Sequence, residues 1–163
     1  MPEGPNPVRS GVRSGAALDR IDRTLLGILA EDASLSYAEL GQRLHLSPAA
    51  VHERVKRLRR DGVVKGTVAR LDGGKIGRPL LTFVHVDTRG WGKSQSMLAL
   101  ADLPEVEEIH AVTGDACLIL KVRTEGTQAL EDFLARIYAI EGVRGTRSYV
   151  VLSSHVERGP RPA

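Results

Sequence analysis

Five of the seven residues from Arg54 to Arg60 are basic (Arg54, Lys56, Arg57, Arg59 and Arg60), and none is acidic. Such a run is suited to contacting a polyanion, above all a phosphate backbone. Just ahead of it stand Ala49, Ala50, His52 and Glu53, whose side chains suit base edges. An alanine methyl can touch the thymine methyl, and a glutamate can accept from cytosine N4. Thr113-Gly114-Asp115 is a second candidate. Glycine permits close backbone approach and aspartate can receive an ammonium group, although Gly and Asp are equally the ordinary residues of a two-residue hairpin turn. The remaining reactive side chains do not assemble. His45, His52, His85, His110 and His155 are scattered and Cys117 is alone, so no spacing resembles a metal site. There is no phosphate loop, no G-x-S-x-G elbow and no paired-carboxylate constellation. No catalytic residue, metal or cofactor is expected. Trp91, within Arg-Gly-Trp-Gly, reads as a loop anchor.

The basic run is set in a recognisable frame. Ser36 with Glu39 three residues later forms a capping box, and Leu40 and Leu44 make an i, i+4 apolar pair. His45-Leu46 is then a turn. Ser47 caps a second helix with Pro48 at its first position, where the missing N–H costs nothing. Val51, Val55 and Leu58 line one face of that helix, and Gly62 is placed to be its C-cap. Two short helices joined this way predict a helix-turn-helix whose second helix enters a DNA major groove. Ala49, Glu53, Lys56 and Arg60 lie opposite the apolar stripe, with His52 and Arg57 on the flanks. Lys56, Arg57 and the Ser47 hydroxyl are placed for phosphate, which gives affinity without sequence information. Arg54 lies nearer the core side, where an acid in the first helix is the alternative partner. A solvated basic face is the ordinary alternative for such a run; the capped turn and the absence of acids favour DNA.

A third helix must support this pair, and Asp19 to Glu31 supplies it. Asp19 is the N-cap, Asp22 adds a charge favoured by the helix dipole, and Ile21, Leu25, Ile28 and Leu29 form a core face. Charge follows the same division. Residues 1–75 hold thirteen Lys and Arg against nine Asp and Glu, whereas residues 76–163 hold ten against eleven, so a basic half precedes a near-neutral one. Residues 1–17 read as a disordered tail in which Arg9 and Arg13 are most simply solvated. The N-terminus shows no apolar signal segment and no run approaches membrane-spanning length, so a cytoplasmic protein is expected, with no membrane partner. One cysteine excludes an intramolecular disulfide.

After Gly62, the β-rich stretch Val63–Leu71 predicts a strand or wing, and Asp72-Gly73-Gly74-Lys75 a turn. The pattern then changes. Leu80–Asp87, Val106–Val112, Ala116–Val122 and Val143–Leu152 read as strands, and Lys93–Leu103 and Thr127–Ile140 as helices, with a tight turn at Gly114-Asp115. The order βαββαβ is the ferredoxin-like signature. Leu103-Pro104-Glu105-Val106 and Ile140-Glu141-Gly142-Val143 echo one another 37 residues apart, as a repeated βαβ unit would. Thr82, Val84 and Val86 with Ala116, Leu118, Leu120 and Val122 make one apolar face, and Phe83 and Ile119 point the other way. Two apolar faces would imply that one is covered by a second chain. The expected fold is α+β: a tail (1–17), a three-helix winged helix-turn-helix domain (18–66), a β link or hinge (67–79), a βαββαβ domain (80–157) and a tail (158–163).

This order of parts resembles the Lrp/AsnC family of leucine-responsive-type regulators. The resemblance is carried by Leu18-Asp19-Arg20-Ile21-Asp22, Leu46-Ser47-Pro48 with Glu53 to Leu58, Gly62 to Gly66, Gly114-Asp115, and Thr146 to Val151. It implies a RAM-type second domain that dimerises through its sheets, with dimers assembling further into rings such as tetramers or octamers. It also implies double-stranded DNA as partner and a small-molecule effector, typically an amino acid, beside the Gly-Asp turn. By the same resemblance Leu103, Pro104, Glu105, Thr146 and Ser148 would complete a pocket with Thr113, Gly114 and Asp115. Ala116-Cys117 stand where members often carry an aromatic and an acid, and His45 stands where members often have Gly in the motif's turn. Two other functions suit the same scaffold. Siroheme decarboxylases look like this family, and such an enzyme would recruit His110 or Arg123; an architectural DNA binder would lack the effector.

Overall fold

The protein is described from a computed structural model, which covers residues 17–89 and 99–162. The chain divides into two compact units: residues up to Ala69 together with those from Glu157 onward, and Arg70–Val156. Arg9, Arg13, Trp91 and most of the helix expected at Lys93–Leu103 lie outside the described residues.

The first unit is built on three helices, α1 (Arg20–Glu31), α2 (Tyr37–Leu44) and α3 (Pro48–Arg60). Each begins where a side chain satisfies an otherwise orphan N–H. Asp19 and Asp22 close a capping box on α1, and Ser36 and Glu39 close another on α2. Ser47 Oγ accepts from the Ala50 N–H at 3.2 Å at the start of α3. The turn between α2 and α3 needs a left-handed residue, and His45 adopts it (φ 54°, ψ 43°). Gly41 completes the turn. A Cβ there would lie 2.6 Å from the Leu46 carbonyl oxygen, so only glycine lets the chain fold back so closely. At its far end α3 is capped by Asp61, one residue before the glycine expected there; Gly62 follows with φ 72°. Leu25, Leu40, Val51, Val55 and Leu58 are buried together, with Ile28, Leu29 and Leu44 packed against them.

The strand expected over Val63–Leu71 does not form. Residues 65–72 carry no regular structure, and Val68 and Leu71 are exposed. A β-rich stretch becomes a strand only when another strand meets its backbone groups, and none among the described residues pairs with it. The turn that follows is as expected, with Asp72 Oδ1 accepting from the Gly74 and Lys75 N–H groups at 2.9 and 3.2 Å.

The second unit is a four-stranded sheet of β1 (Leu80–Thr88), β2 (Val106–Ala111), β3 (Leu118–Thr124) and β4 (Val143–Val150). Their spatial order is β2-β3-β1-β4, and every neighbouring pair is antiparallel, as a ferredoxin-like fold requires. Helix α4 (Thr127–Tyr138) and a helical turn at residues 99–101 cover one face. There Val84, Val86, Leu118, Leu120 and Val122 pack with Leu100, Leu130, Phe133 and Ile137. The internal echo is visible as repeated hydrogen bonding. The Leu103 and Val106 amides bond three residues back, to Leu100 and Leu103, and the Ile140 and Val143 amides do the same to Ile137 and Ile140. Phe83 and Ile119 face away from this core, as the alternation predicts. The β2–β3 connection is longer than a two-residue turn. Val112 N–H donates to the Cys117 carbonyl at 3.1 Å, so residues 113–116 form the loop tip and β3 begins at Leu118.

Candidate nucleic-acid interface and effector groove

Helix α3 presents three kinds of surface. Val51, Val55 and Leu58 are buried. Ser47, Pro48, Ala49, His52, Glu53, Lys56 and Arg60 are exposed, with Ala50 half-buried. Arg54 and Arg57 turn toward α1. Arg54 Nη1 donates to Asp19 Oδ2 at 2.6 Å and to Asp22 Oδ1 at 2.8 Å. Arg57 Nη2 donates to both oxygens of Asp22, at 2.6 and 2.7 Å. The alternative for Arg54, an acid in the first helix, is therefore what the structure has. Arg57, expected to meet phosphate, has its guanidinium held in the DNA-free chain by a carboxylate that is itself fully buried.

The electrostatics follow from these bonds. Burial pushes the Asp22 carboxyl up, but the hydrogen bonds from Arg57, Arg54 and the Asp19 backbone outweigh it and hold it below its ordinary value. Asp19 is lowered too, first by the Asp22 N–H and then by Arg54. On the exposed face, the His52 ring meets Tyr37 edge-on at 5.2 Å between centroids, and His52 Nδ1 lies 3.5 Å from Glu53 Oε1. Arg60 Nε reaches Asp61 at 3.1 Å but stays largely exposed. The exposed part of α3 thus carries an uncharged or acidic N-terminal turn followed by Lys56, Arg59 and Arg60.

The second candidate is an open groove of about 720 Å³ on the uncovered face of the sheet. Thr113, Gly114 and Asp115 form its rim at the loop tip, and Gly114 has φ 122°, a backbone that favours glycine. Cross-strand register supplies the floor. His85 pairs with Ile119 on one side and Arg147 on the other, and Phe83 with Tyr149. The His85 and Tyr149 rings lie 4.8 Å apart, and Arg147 Nη2 donates to the Asp115 carbonyl at 3.0 Å. His85, Arg147 and Tyr149 escaped the sequence reading. Their signal was the alternation of β4, where Arg147 and Tyr149 share a face, but the register that brings His85 between them is not written in any local pattern.

The remaining residues expected at the pocket do not join it within one chain. Leu103, Pro104 and Glu105 precede β2, at the end of the sheet away from the β2–β3 loop. There Arg78 donates to the Pro104 carbonyl at 2.6 Å and Arg136 holds Glu105. Thr146 and Ser148 pair with Val86 and Val84 and so face the helix side, where the Thr146 N–H donates to the Tyr138 hydroxyl at 3.2 Å. His110 and Arg123, the residues an enzyme reading would recruit, each meet a glutamate, Glu108 at 2.9 Å and Glu107 at 2.6 Å. Neither lines the groove. Among the described residues, no group of His, Cys, Asp and Glu is arranged to hold a metal ion, and no helix is long and apolar enough to cross a membrane.

Known proteins share both parts of this architecture. A family model described as the AsnC-type helix-turn-helix domain matches residues 18–59, and one described as the Lrp/AsnC ligand binding domain matches residues 82–161. The HTH-type transcriptional regulator FL11 of Pyrococcus horikoshii is 34% identical over 145 residues, covering 89% of this chain and 96% of that protein. The leucine-responsive regulatory protein of Escherichia coli strain K12 is 37% identical over 149 residues, covering 89% and 91%. Among solved structures, transcriptional regulator NMB0573 of Neisseria meningitidis, in complex with L-Met, superposes with a TM-score of 0.79 at 27% identity, covering 86% of this chain and 94% of that one. With two domain models matched in order and relatives similar along nearly their whole length, the chain belongs to the Lrp/AsnC family of transcriptional regulators.

Proposed function

We propose that this regulator reads double-stranded DNA with the first half of α3, as a homodimer tuned by an amino-acid-like effector. The observation that carries the reading is the division of α3 itself. Its apolar residues are buried and Arg54 and Arg57 are tied to Asp19 and Asp22, which leaves Ala49, His52, Glu53, Lys56 and Arg60 facing outward with Arg59 exposed on the flank. Seated in a major groove, Ala49, Ala50, His52 and Glu53 meet base edges, while Ser47, Lys56 and Arg60 meet phosphates. Pro48 pre-forms the first turn. Residues 18–66 carry this activity, 80–157 carry dimerisation and effector binding, and 67–79 act as the hinge.

Dimerisation through the uncovered sheet face is supported by the exposed rings of Phe83 and Tyr149 on it. Two copies would present two α3 helices to a pseudo-palindrome, one or more helical turns apart. The effector reading rests on the groove. Asp115 offers a carboxylate to an α-ammonium group, and Arg147 has further N–H donors for a carboxylate. Leu103, Pro104, Glu105, Thr146 and Ser148 would contribute only from a neighbouring copy, as in a tetramer or octamer. The neisserial relative solved with L-Met supports an amino acid as ligand class. The protein acts in the cytoplasm as a regulator and not as an enzyme; His110 and Arg123, each engaged by a glutamate away from the groove, offer the enzyme reading little.

Selection of bound duplexes from a random pool, with and without the twenty amino acids, tests this. The expected result is a two-half-site sequence whose enrichment changes with at least one amino acid. Recovery of no preferred sequence would contradict the reading.

A further inference from the structure

Asp22 is fully buried, yet it sits between two arginines of the helix assigned above to DNA. Its Oδ1 accepts from Arg54 Nη1 at 2.8 Å and from Arg57 Nη2 at 2.6 Å, and its Oδ2 accepts from Arg57 Nη2 at 2.7 Å. Asp19 adds a second acceptor for Arg54 at 2.6 Å. The two arginines are three residues apart and so share one face of α3. Their side chains keep 25% and 37% exposure, so they lie within reach of solvent if released. Two acids at the start of α1, its N-cap Asp19 and Asp22, thus take up two of the five basic residues in the run Arg54–Arg60.

We propose that Asp22 is a specificity-determining positioning residue: it holds Arg54 and Arg57 against α1, which fixes the rotation of α3 and keeps two guanidinium groups off the DNA phosphates. The physical reason is that phosphate contacts raise affinity for every sequence alike. A recognition helix with all five cations free would bind strongly and discriminate poorly. With Arg54 and Arg57 clasped, three cations stay exposed, Lys56 and Arg60 beside the base-reading turn and Arg59 on the flank, and a larger share of the binding energy depends on the bases. The buried carboxylate is the fixed end of the clasp, because it has no alternative solvent position. The inference rests on α3 being the DNA-reading helix.

The test compares wild type, Asp22→Asn, Arg57→Gln and Lys56→Gln by gel shift over a salt series, on the selected operator and on an unrelated duplex, with folding followed by circular dichroism. Asp22→Asn is expected to bind the unrelated duplex more tightly, with a salt slope steeper by ~0.9 to ~1.8 for one or two added phosphate contacts. Its operator preference is expected to fall roughly tenfold, the size of one mismatched base pair. A folded Asp22→Asn protein that loses both affinities in parallel overturns the proposal. Should Asp22→Asn fail to fold, Arg57→Gln decides: Arg54 still holds Asp22, and a salt slope equal to wild type is expected, whereas a drop of about 0.9 overturns it. Lys56→Gln separates the two ideas. An unchanged slope there defeats the α3 reading itself, and a lowered slope for both Lys56→Gln and Arg57→Gln defeats the clasp alone.

Discussion

Arg57 donates from one nitrogen, Nη2, to both carboxylate oxygens of Asp22, at 2.6 and 2.7 Å, and that carboxylate has no exposed surface. The pair ties α3 to α1 through a charge that cannot retreat into water. Removing the aspartate takes the carboxylate from Arg57 and leaves Arg54 with Asp19 alone, and removing an arginine leaves a buried charge half-satisfied. Asp22→Ala is expected to lower the stability of the first unit by about 3 kcal/mol, the lower end of the range for a broken buried pair, because the arginines stay partly solvated. Urea denaturation followed by helical ellipticity checks it; a change within about 0.5 kcal/mol, as for a surface site, would contradict it.

Acid stability follows from the same carboxylates with a definite sign. Asp22 and Asp19 both titrate below their ordinary values in the folded chain. Such groups stabilise the fold fully above the unfolded carboxylate value of about 3.9, and that contribution is lost as pH falls through the lower folded values. The first unit is therefore expected to hold its stability down to about pH 4 and to lose it below. Asp22→Asn should flatten that loss. An identical acid profile in the variant would mean that other carboxylates set it.

Gly41→Ala tests the closeness of the helix-turn-helix. Alanine ordinarily stabilises a helix interior by up to about 1 kcal/mol over glycine. Here the added Cβ meets the Leu46 carbonyl oxygen at 2.6 Å, a backbone atom that cannot rotate away. The clash decides the sign, and a loss of about 1–3 kcal/mol is expected, as for overpacking. A rise in the thermal midpoint would show that the turn can open.

Much of this unit is legible without coordinates. Caps at Asp19, Ser36 and Ser47 announce themselves because the chemistry is local, with donor and acceptor within three residues. The left-handed turn at His45 and the buried stripe Val51, Val55 and Leu58 are legible for the same reason. Arg57 is not, because its position on the flank of α3 fits phosphate and α1 equally until the helices are packed. Val63–Leu71 misleads in the opposite way: its composition suits a strand, but strands need partners. In the groove, Gly114 and Asp115 stand out by residue type, whereas His85, Arg147 and Tyr149 meet only through cross-strand register.

The groove itself makes a separate prediction. If Asp115 receives the effector's ammonium group, Asp115→Ala should abolish the heat of binding of whichever amino acid wild type takes up, with the sheet's ellipticity intact. Arg147→Ala should weaken the same binding through loss of the carboxylate contact, by about tenfold or more, as for a hydrogen bond to a charged group. Equal binding heats in wild type and both variants would place the ligand elsewhere.

Helix α3 is the proposed DNA reader, and Lys56 tests that role most directly. Lys56 is exposed on the outward face, opposite the buried stripe. In a gel-shift salt series on the selected operator, Lys56→Ala is expected to reduce the slope of log affinity against log salt by about 0.9, one phosphate contact, with the preferred sequence unchanged. A slope identical to wild type would contradict DNA reading by α3, because it would place the DNA on some other surface of the protein.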